Sequence, residues 1–293
     1  MSPPRKPSLC AAKPHPAARD QPPVVLRPAA LCSVSPSRGK KLLGRSGEFL
    51  ERWLVGLLLC MGAAQAAEVK VAVASNFAQP LAAIAAAFQK ETGHTVSISA
   101  ASSGKLYAQI RHGAPFEVLL SADDETPARL EREGLGVAGS RFTYATGALL
   151  LWSADAAAVD AEGKILRQPG SGKIAIANPK LAPYGRAAQE ALTALGLYDA
   201  LKPRFVMGEN IGQTFQFVAS GNAALGLVAA AQVMQAGRLK SGSAWPVPTH
   251  LHAPIRQDAI LLNTGVNNAA AKALLRTLRE PAARAIIRSY GYE

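Results

Sequence analysis

The fold of this chain is decided by residues 69–93, which read VKVAVASNFAQPLAAIAAAFQKETG. Val69 to Val73 are rich in β-branched residues and predict a strand. Phe77 to Thr92 predict a helix, and Gly93 is the residue type that commonly follows a helix C-terminus. A strand that leads directly into a helix is the unit from which α/β sheets are built, so this stretch predicts the α/β class.

The same alternation of strand and helix continues through the body of the chain. Further strands are predicted at 96–99, 118–120, 173–177, 205–207, 225–228 and 255–262, and further helices at 105–112, 125–133, 185–195, 212–220 and 269–289. The alternation predicts mainly parallel sheets flanked by helices.

Two changes in this pattern predict a division into two lobes. Residues 142–152 form one long apolar stretch interrupted by Gly147, which we interpret as a strand that crosses between lobes. The Gly/Ser/Pro-rich stretch 240–248 is interpreted as the return. The first lobe would then hold residues 68–145 plus 246–293, and the second would hold residues 146–245. Two hinge crossovers suit a receptor that closes over its ligand.

The first 67 residues differ in composition from the rest. The chain has a net charge of +12, but residues 1–66 alone carry +7, which leaves only +5 for the remainder. A nucleic-acid partner is therefore not expected. All three cysteines, Cys10, Cys32 and Cys60, also lie in this segment, so the body contains no disulfide and no thiolate metal site.

Residues 1–41 are rich in Pro, Ser, Ala and basic residues, and we predict a disordered N-terminal extension. Residues 42–67 combine basic residues, the apolar run 53–61 and a small-residue end, which predicts a secretory signal peptide and a periplasmic protein. The alternative is a transmembrane helix, which needs about 20 apolar residues, more than this run provides.

Four predicted strand-to-helix junctions carry the polar groups that could bind a ligand. They are residues 74–77, 101–104, 182–185 and 209–212. Helix N-termini present unpaired N–H groups and the positive end of the helix dipole, so each junction could bind an anion. Ser75, Asn76, Ser103 and Tyr184 add side-chain donors. The alternative is that Ser and Asn only cap their own helices. The even division of the junctions between the lobes favours one shared site.

Motifs for catalysis or nucleotide binding do not fit their usual context in this sequence. Residues 134–139 match GxGxxG, but they follow a helix and precede a strand, the reverse of the dinucleotide-binding arrangement. Residues 170–173 read GSGK without the Ser or Thr that a P-loop requires next. No Ser, His and Asp stand in a recognisable nucleophile context. We therefore expect a protein that binds a ligand, catalyses nothing and needs no cofactor.

The motifs VAVASN at 71–76, ASSGKL at 101–106, GAPFEVLLSAD at 113–123, NP at 178–179 and PYG at 183–185 follow one another along the chain. In this order they resemble the periplasmic molybdate-binding proteins of ABC transporters, over about residues 68–293. The resemblance implies a type II periplasmic-binding-protein fold with molybdate or tungstate held between the lobes. It also implies a monomer that delivers the oxyanion to a membrane ABC permease complex.

The resemblance also implies a ligand set at matching positions. Its members are Ser75, Asn76 and Ser103 from the first lobe, and Tyr184 and Ile211 from the second, with Ile211 donating its backbone N–H. Molybdenum would be present only within the oxyanion, without direct protein–metal ligands. Other members of the family use a tyrosine at the position of Ala229, so this chain resembles the subgroup with Asn76 and Tyr184.

Two alternatives to this function stay open at the level of sequence. The first is a receptor of the same fold for another ligand, such as sulfate, phosphate or ferric iron. A phosphate site usually includes an Asp acceptor, and a ferric site adjacent tyrosines, and the four junctions contain neither. The second is an exported hydrolase or transferase, which would need a nucleophile beside a base in the cleft.

Overall fold

The computed structural model describes residues 66–170 and 172–293, which belong to one compact unit. The predicted extension at 1–41 lies outside the described residues, as does the predicted signal peptide apart from Ala66 and Ala67. None of the described helices is both long and apolar enough to cross a membrane.

The described chain alternates strands and helices, as the sequence predicts. The strands are β1 (Glu68–Ala74), β2 (Thr95–Ala101), β3 (Val118–Leu120), β4 (Phe142–Gly147), β5 (Leu149–Ser153), β6 (Ile174–Ala177), β7 (Phe205–Gly208), β8 (Leu225–Ala229), β9 (Met234–Gln235), β10 (Arg238–Leu239), β11 (Ser243–Pro246) and β12 (Ile255–Leu261). The helices are α1 (Ala78–Thr92), α2 (Ser103–Arg111), α3 (Glu125–Arg132), α4 (Pro183–Ala194), α5 (Tyr198–Leu201), α6 (Ile211–Ala219), α7 (Ala230–Val233), α8 (Ala269–Thr277) and α9 (Pro281–Ser289). Short 3-10 turns occur at Ser75–Phe77, Lys164–Arg167, Lys202–Arg204, Thr249–Leu251 and Asn263–Gly265.

The strands form two five-stranded sheets and one small ribbon. The first sheet has the order β2-β1-β3-β12-β4, and the second has the order β11-β5-β8-β6-β7. The ribbon pairs β9 with β10. The α/β class with helix-flanked sheets is therefore confirmed.

Each sheet is mainly parallel, with four of its five strands running in the same direction and one strand reversed. In the first sheet β1 is parallel to β2 and β3, but β12 is antiparallel to β3 and β4. In the second sheet β6 is parallel to β7 and β8, but β5 is antiparallel to β8 and β11. The reversed strands are β5 and β12, each of which comes directly after a crossover, so they lack the strand–helix–strand connection that produces a parallel neighbour.

Two connections join the sheets within the described chain, one from β4 to β5 and one from β11 to β12. The predicted long strand at 142–152 is therefore two strands in different sheets, separated by Ala148. β4 extends to Gly147 and β11 to Pro246, so each change of sheet falls one or two residues beyond the predicted lobe boundary. The division into two moving lobes stays a prediction.

A hydrophobic core fixes the position of β1 and α1. Val69, Val71 and Val73 of β1 are fully buried, and α1 follows with a stripe at positions 77, 81, 84 and 88. This spacing places one apolar face of a helix against the sheet. Burying each such side chain contributes about 1.5–3 kcal/mol. α1 ends at Gly93, which has a left-handed φ of 75°, as its residue type predicts.

Candidate functional site

The first-sheet side of the site is formed where β1 and β2 end. The two strands are parallel and in register, with Ala74 opposite Ala101. Ser75 and Ser102 therefore leave the sheet at the same edge, since carboxyl ends of parallel strands face the same way. Ser75 opens a 3-10 turn that leads into α1, and Ser103 is the first residue of α2.

The second-sheet side is formed in the same way by β6 and β7. These strands are also parallel, and Ala177 at the end of β6 lies opposite Gly208 at the end of β7. Tyr184 lies in the first turn of α4, whose first residue is a proline, a residue favoured at that position because its N–H is not needed there. Ile211 is the first residue of α6.

One small cavity brings the two sides together. Its volume is about 10 Å³, which is the space of a single water molecule. Its lining consists of Ala74, Ser75, Asn76, Ala101, Ser102, Ser103, Ala122, Ala182, Pro183, Tyr184 and Ile211. All five residues that the sequence predicts for the ligand set line this cavity, although their ligand contacts stay a prediction. The lining contains neutral side chains only.

The two sides contact each other directly around the cavity. Gly212 N donates to Ser75 Oγ at 3.1 Å, and Gly104 N donates to Leu181 O at 3.0 Å. A Cβ at Gly104 would lie 3.1 Å from the Leu181 carbonyl oxygen, so a side chain at this glycine would fit only if the Leu181 backbone moved by a few tenths of an ångström. The two sides therefore meet directly beside the cavity.

Ser103 is held in place by its neighbours on the first-sheet side. Its hydroxyl accepts the N–H of Ala122 at 3.1 Å and lies 3.0 Å from the hydroxyl of Ser121. Ser121 lies equally close to Asp123 Oδ1, at 3.0 Å. Burial raises the pKa of Asp123, while hydrogen bonds from Thr126 and Ser121 act in the opposite direction. The Ser103 oxygen is thus fixed at the cavity wall. Because Ser121 donates its one proton to Asp123, Ser103 can donate its own proton either to Ser121 or to a ligand.

Ser75 and Tyr184 are also arranged as donors towards the cavity. Ser75 Oγ accepts the N–H of Gly212, which leaves its own proton free. Tyr184 accepts an N–H from Gln257 Nε2 at 3.1 Å. Burial raises the pKa of Tyr184, so the phenol keeps its proton at neutral pH. Each hydroxyl therefore accepts a bond from the protein and keeps a proton to donate.

Ser102 is a polar cavity residue that sequence reasoning did not include in the ligand set. It is 3 % exposed, and its hydroxyl oxygen has no hydrogen-bond partner. It occupies the N-cap position of α2 without capping the helix. Buried polar groups are nearly always hydrogen-bonded, and leaving one unpaired costs about 1–3 kcal/mol. The available signal was the pair of serines before α2, of which only Ser103 was predicted as a ligand contact.

Asn76 differs from the donor role that the sequence suggests. It is 3 % exposed, and its amide nitrogen donates to Gln257 Oε1 and to Tyr292 OH, both at 2.9 Å. Its Oδ1 has no hydrogen-bond partner. Both amide protons are therefore used within the first-sheet side, so Asn76 lines the cavity as part of its support and has no amide proton left for a ligand.

The capping alternative is correct at one junction. Asn210 accepts the N–H of Gln213 at 3.0 Å and caps α6. The N-cap residues of the other junctions, Ala74, Ser102 and Ala182, make no side-chain cap. The hydroxyls of the first-sheet side are therefore not consumed by their own helices.

Charged side chains stand around the cleft rather than in the cavity. Lys105 pairs with Glu209 at 3.4 Å, and Arg186 pairs with Glu125 at 3.1 Å, in both cases across the two sides. All four side chains are at least half exposed. Exposed pairs of this kind contribute at most about 1 kcal/mol. Among the described residues, no three His, Cys, Asp or Glu side chains lie close enough to hold a metal ion.

The sequence of this chain matches the bacterial extracellular solute-binding protein family over residues 69–293. The chain belongs to this family. It is 54 % identical to the molybdate-binding protein ModA of Azotobacter vinelandii, over 81 % of this chain and 93 % of that protein. It is 51 % identical to ModA of Rhodobacter capsulatus, over 80 % and 93 % of the two chains. The predicted resemblance to molybdate-binding proteins is confirmed.

Solved structures agree with this relationship. The periplasmic molybdate-binding protein of Azotobacter vinelandii superposes with a TM-score of 0.75 at 44 % identity, covering 77 % of this chain and 98 % of that one. The sulfate-binding protein SubI of Mycobacterium tuberculosis superposes with a TM-score of 0.61 at 13 % identity, covering 77 % of this chain and 86 % of that one. At that identity the second likeness shows the shared fold alone.

Proposed function

We propose that this solute-binding protein captures molybdate, and tungstate with it, in the cavity between its two sheets and delivers it to an ABC importer. The observation that carries the proposal is the convergence of neutral hydrogen-bond donors from both sides on one small cavity whose lining has no charged side chain. The names of the relatives that are 54 % and 51 % identical support the same ligand.

The proposed donors match the chemistry of a tetrahedral dianion. Such an anion offers only acceptor oxygens, so it requires donors and no acceptors. The hydroxyls of Ser75, Ser102, Ser103 and Tyr184 supply four donors, and the backbone N–H of Ile211 supplies a fifth. Hydrogen bonds to a charged partner contribute about 1.5–3 kcal/mol each. A helix N-terminus adds about 0.3–1 kcal/mol, and more in a partly buried setting.

Neutral donors also avoid the cost of a buried ion pair. Moving a Lys or Arg side chain into the cavity would carry a desolvation penalty that its attraction for the anion need not recover. Fixed donors at a set spacing select by size, because a smaller anion such as sulfate cannot reach all of them at once. We assign Asn76 a supporting role in this set, since its amide protons are donated to Gln257 and Tyr292.

The protein would act in the periplasm as a monomer and hand the oxyanion to a membrane permease complex. The solved relative from Azotobacter vinelandii is a periplasmic molybdate-binding protein, and the pattern at residues 42–67 predicts export. The proposal includes no catalysis, no cofactor and no nucleic acid. Molybdenum is the cargo and enters only as its oxyanion.

Titration calorimetry of the purified protein tests the ligand. We expect heat at a one-to-one ratio with molybdate and tungstate, and none with sulfate or phosphate at the same concentrations. A Ser102→Ala variant should bind molybdate about tenfold more weakly or worse, since it loses one hydrogen bond to a charged ligand. Ser99→Ala, at an exposed position on β2, is the matched control.

Two outcomes would contradict the proposal. Absence of heat with every oxyanion would exclude this ligand class, and organic ligands would then be tested. Equal heat with sulfate and molybdate would contradict the size selection. If Ser102→Ala and Ser99→Ala bind equally well, Ser102 is not a ligand contact.

A further inference from the structure

Gln257 occupies a central position behind the cavity. It lies on β12 of the first sheet and is fully buried. Its Oε1 accepts from Asn76 Nδ2 at 2.9 Å and lies 3.0 Å from Tyr144 OH, whose one proton can go to Gln257 Oε1 or to Ser121 O. Its Nε2 donates to Tyr184 OH at 3.1 Å. Gln257 therefore connects Asn76 and Tyr144 of the first-sheet side with the Tyr184 hydroxyl of the second-sheet side.

The partners of Gln257 fix which way its amide faces. Asn76 Nδ2 is a donor without acceptor capacity, so it requires the oxygen of Gln257 and excludes its nitrogen. With Oε1 held by Asn76, Nε2 must face Tyr184. The Tyr184 oxygen then accepts a proton from Gln257, and the Tyr184 proton is directed elsewhere. The Tyr184 hydroxyl also neighbours that of Tyr292, which donates its own proton to Asn76 O. The acceptors left for the Tyr184 proton are therefore the Tyr292 oxygen and a ligand in the cavity that Tyr184 lines.

Asn76 is held in its turn by the C-terminus of the chain. Tyr292 OH donates to Asn76 O at 3.1 Å and accepts from Asn76 Nδ2 at 2.9 Å. The Tyr292 ring packs edge-on against Phe77 with ring centroids 5.5 Å apart. Glu293 exchanges two backbone hydrogen bonds with Thr146, next to Gly147 at the crossover. The last two residues are thus built into the support of the site.

We propose that Gln257 is a positioning residue that fixes Tyr184 as a hydrogen-bond donor to the bound oxyanion, with Asn76 and Tyr292 holding Gln257 in the required orientation. This inference rests on the proposed function, because it assigns a role to Gln257 in the same site. Gln257 does not touch the ligand, and its effect on affinity passes through the Tyr184 hydroxyl.

A double-mutant cycle on the full chain separates this role from a general contribution to folding. Molybdate affinity is measured by calorimetry for the wild type, Gln257→Met, Tyr184→Phe and the double variant, with thermal unfolding of each. Gln257→Met should weaken binding about tenfold or more in the wild-type background. In the Tyr184→Phe background the same substitution should change affinity by less than about twofold, because the proton that it positions is already absent.

Tyr292→Phe provides a second variant if Gln257→Met does not fold. It removes the hydroxyl that holds Asn76, and we expect weaker molybdate binding. Tyr290→Phe is the matched control, since the Tyr290 hydroxyl has no hydrogen-bond partner among the described residues. Its affinity should equal that of the wild type.

The outcomes distinguish this inference from the proposed function. A wild-type protein that binds no oxyanion overturns both. A wild-type protein that binds molybdate, with an equal loss from Gln257→Met in both backgrounds, overturns the positioning role alone. Unchanged affinity in both Gln257→Met and Tyr292→Phe also overturns it.

Discussion

The two sides of the cavity supply their donors in different ways. The first-sheet side offers three side-chain hydroxyls, those of Ser75, Ser102 and Ser103. The second-sheet side offers the phenol of Tyr184 and the backbone N–H of Ile211. Side-chain donors can be removed by substitution, whereas a backbone donor survives most substitutions. Ligand binding by the first side therefore depends on which residues are present, whereas binding by the second side depends partly on where its backbone lies.

The two sides of the cavity also differ in how their donor residues are held in place. The side chains of Tyr184 and Ile211 belong to the hydrophobic core of the second sheet, together with Ala182 and Ala187. The serines of the first side belong to no hydrophobic cluster; Ser75 and Ser103 are held by hydrogen bonds, whereas the Ser102 hydroxyl has no partner. We expect substitutions on the first side to change affinity more than stability, and most substitutions on the second side to do the reverse.

The largest effect is expected for Ser75→Ala combined with Ser103→Ala. Two hydroxyl donors are lost, each contributing about 1.5–3 kcal/mol, so molybdate affinity should fall by about 10²–10⁴-fold. The protein should still fold, because both changes are small and leave the cores intact, but its melting temperature should fall because the N–H groups of Ala122 and Gly212 lose their acceptors. Calorimetry and a thermal melt measure the two quantities.

A matched control for this variant is Ser97→Ala combined with Ser99→Ala, two exposed positions on β2. The control should bind like the wild type. Wild-type affinity in the cavity double variant would refute the assignment of the site to the first-sheet hydroxyls.

A smaller but still large effect is expected for Gly147→Ala. A Cβ at this position would collide with the Tyr184 hydroxyl and lie 2.6 Å from Gln257 Nε2. Tyr184 would have to leave its place, so molybdate binding should weaken about tenfold or more through loss of its donor. The variant tests whether the position of the Tyr184 hydroxyl depends on Gly147, at the end of β4 where the chain crosses to the second sheet.

Gly136→Ala is the control for this change. Its Cβ would meet the flexible end of the Ile260 side chain, away from the cavity. It should keep wild-type affinity. An equal loss in both glycine variants would point to a general effect of the added methyl group and not to the position of Tyr184.

Features that depend on residues close together in the sequence could be predicted from the sequence alone. Strand-to-helix alternation, the glycine that ends α1 and the four junctions are local patterns, and the structure places Ser75, Ser103, Tyr184 and Ile211 on one cavity as these patterns suggest. The direction of each strand within its sheet could not be predicted from neighbouring residues. It depends on which strands follow a crossover, and periodicity does not show that.

The residues that support the cavity from behind could not be predicted from the sequence either. Gln257 and Tyr292 bond to Asn76 across 181 and 216 residues of chain. Nothing in their immediate neighbours marks them, because a glutamine in a strand and a tyrosine near a C-terminus are ordinary surface residues in most proteins. Only the packing of β12 and the C-terminus against β1 brings them to the site.

The smallest change in affinity is expected for Ile211→Val. Its side chain is 3 % exposed and packs in the second core, so losing one methylene should cost about 0.5–1.5 kcal/mol of unfolding free energy. Molybdate affinity should stay within about twofold of the wild type, because the donor is the backbone N–H and valine retains it. Denaturant unfolding and calorimetry measure the two effects separately.

Ile211→Pro at the same position removes that N–H while keeping a residue that the first turn of a helix accepts. Asn210 before it is already extended, with φ −149° and ψ 170°, which is the backbone that a following proline favours. Weaker binding by the proline variant, with wild-type affinity in the valine variant, would establish that the second side recognises the ligand through its backbone. If valine weakens binding as much as proline does, the side chain of Ile211 contacts the ligand and the contrast between the two sides does not hold.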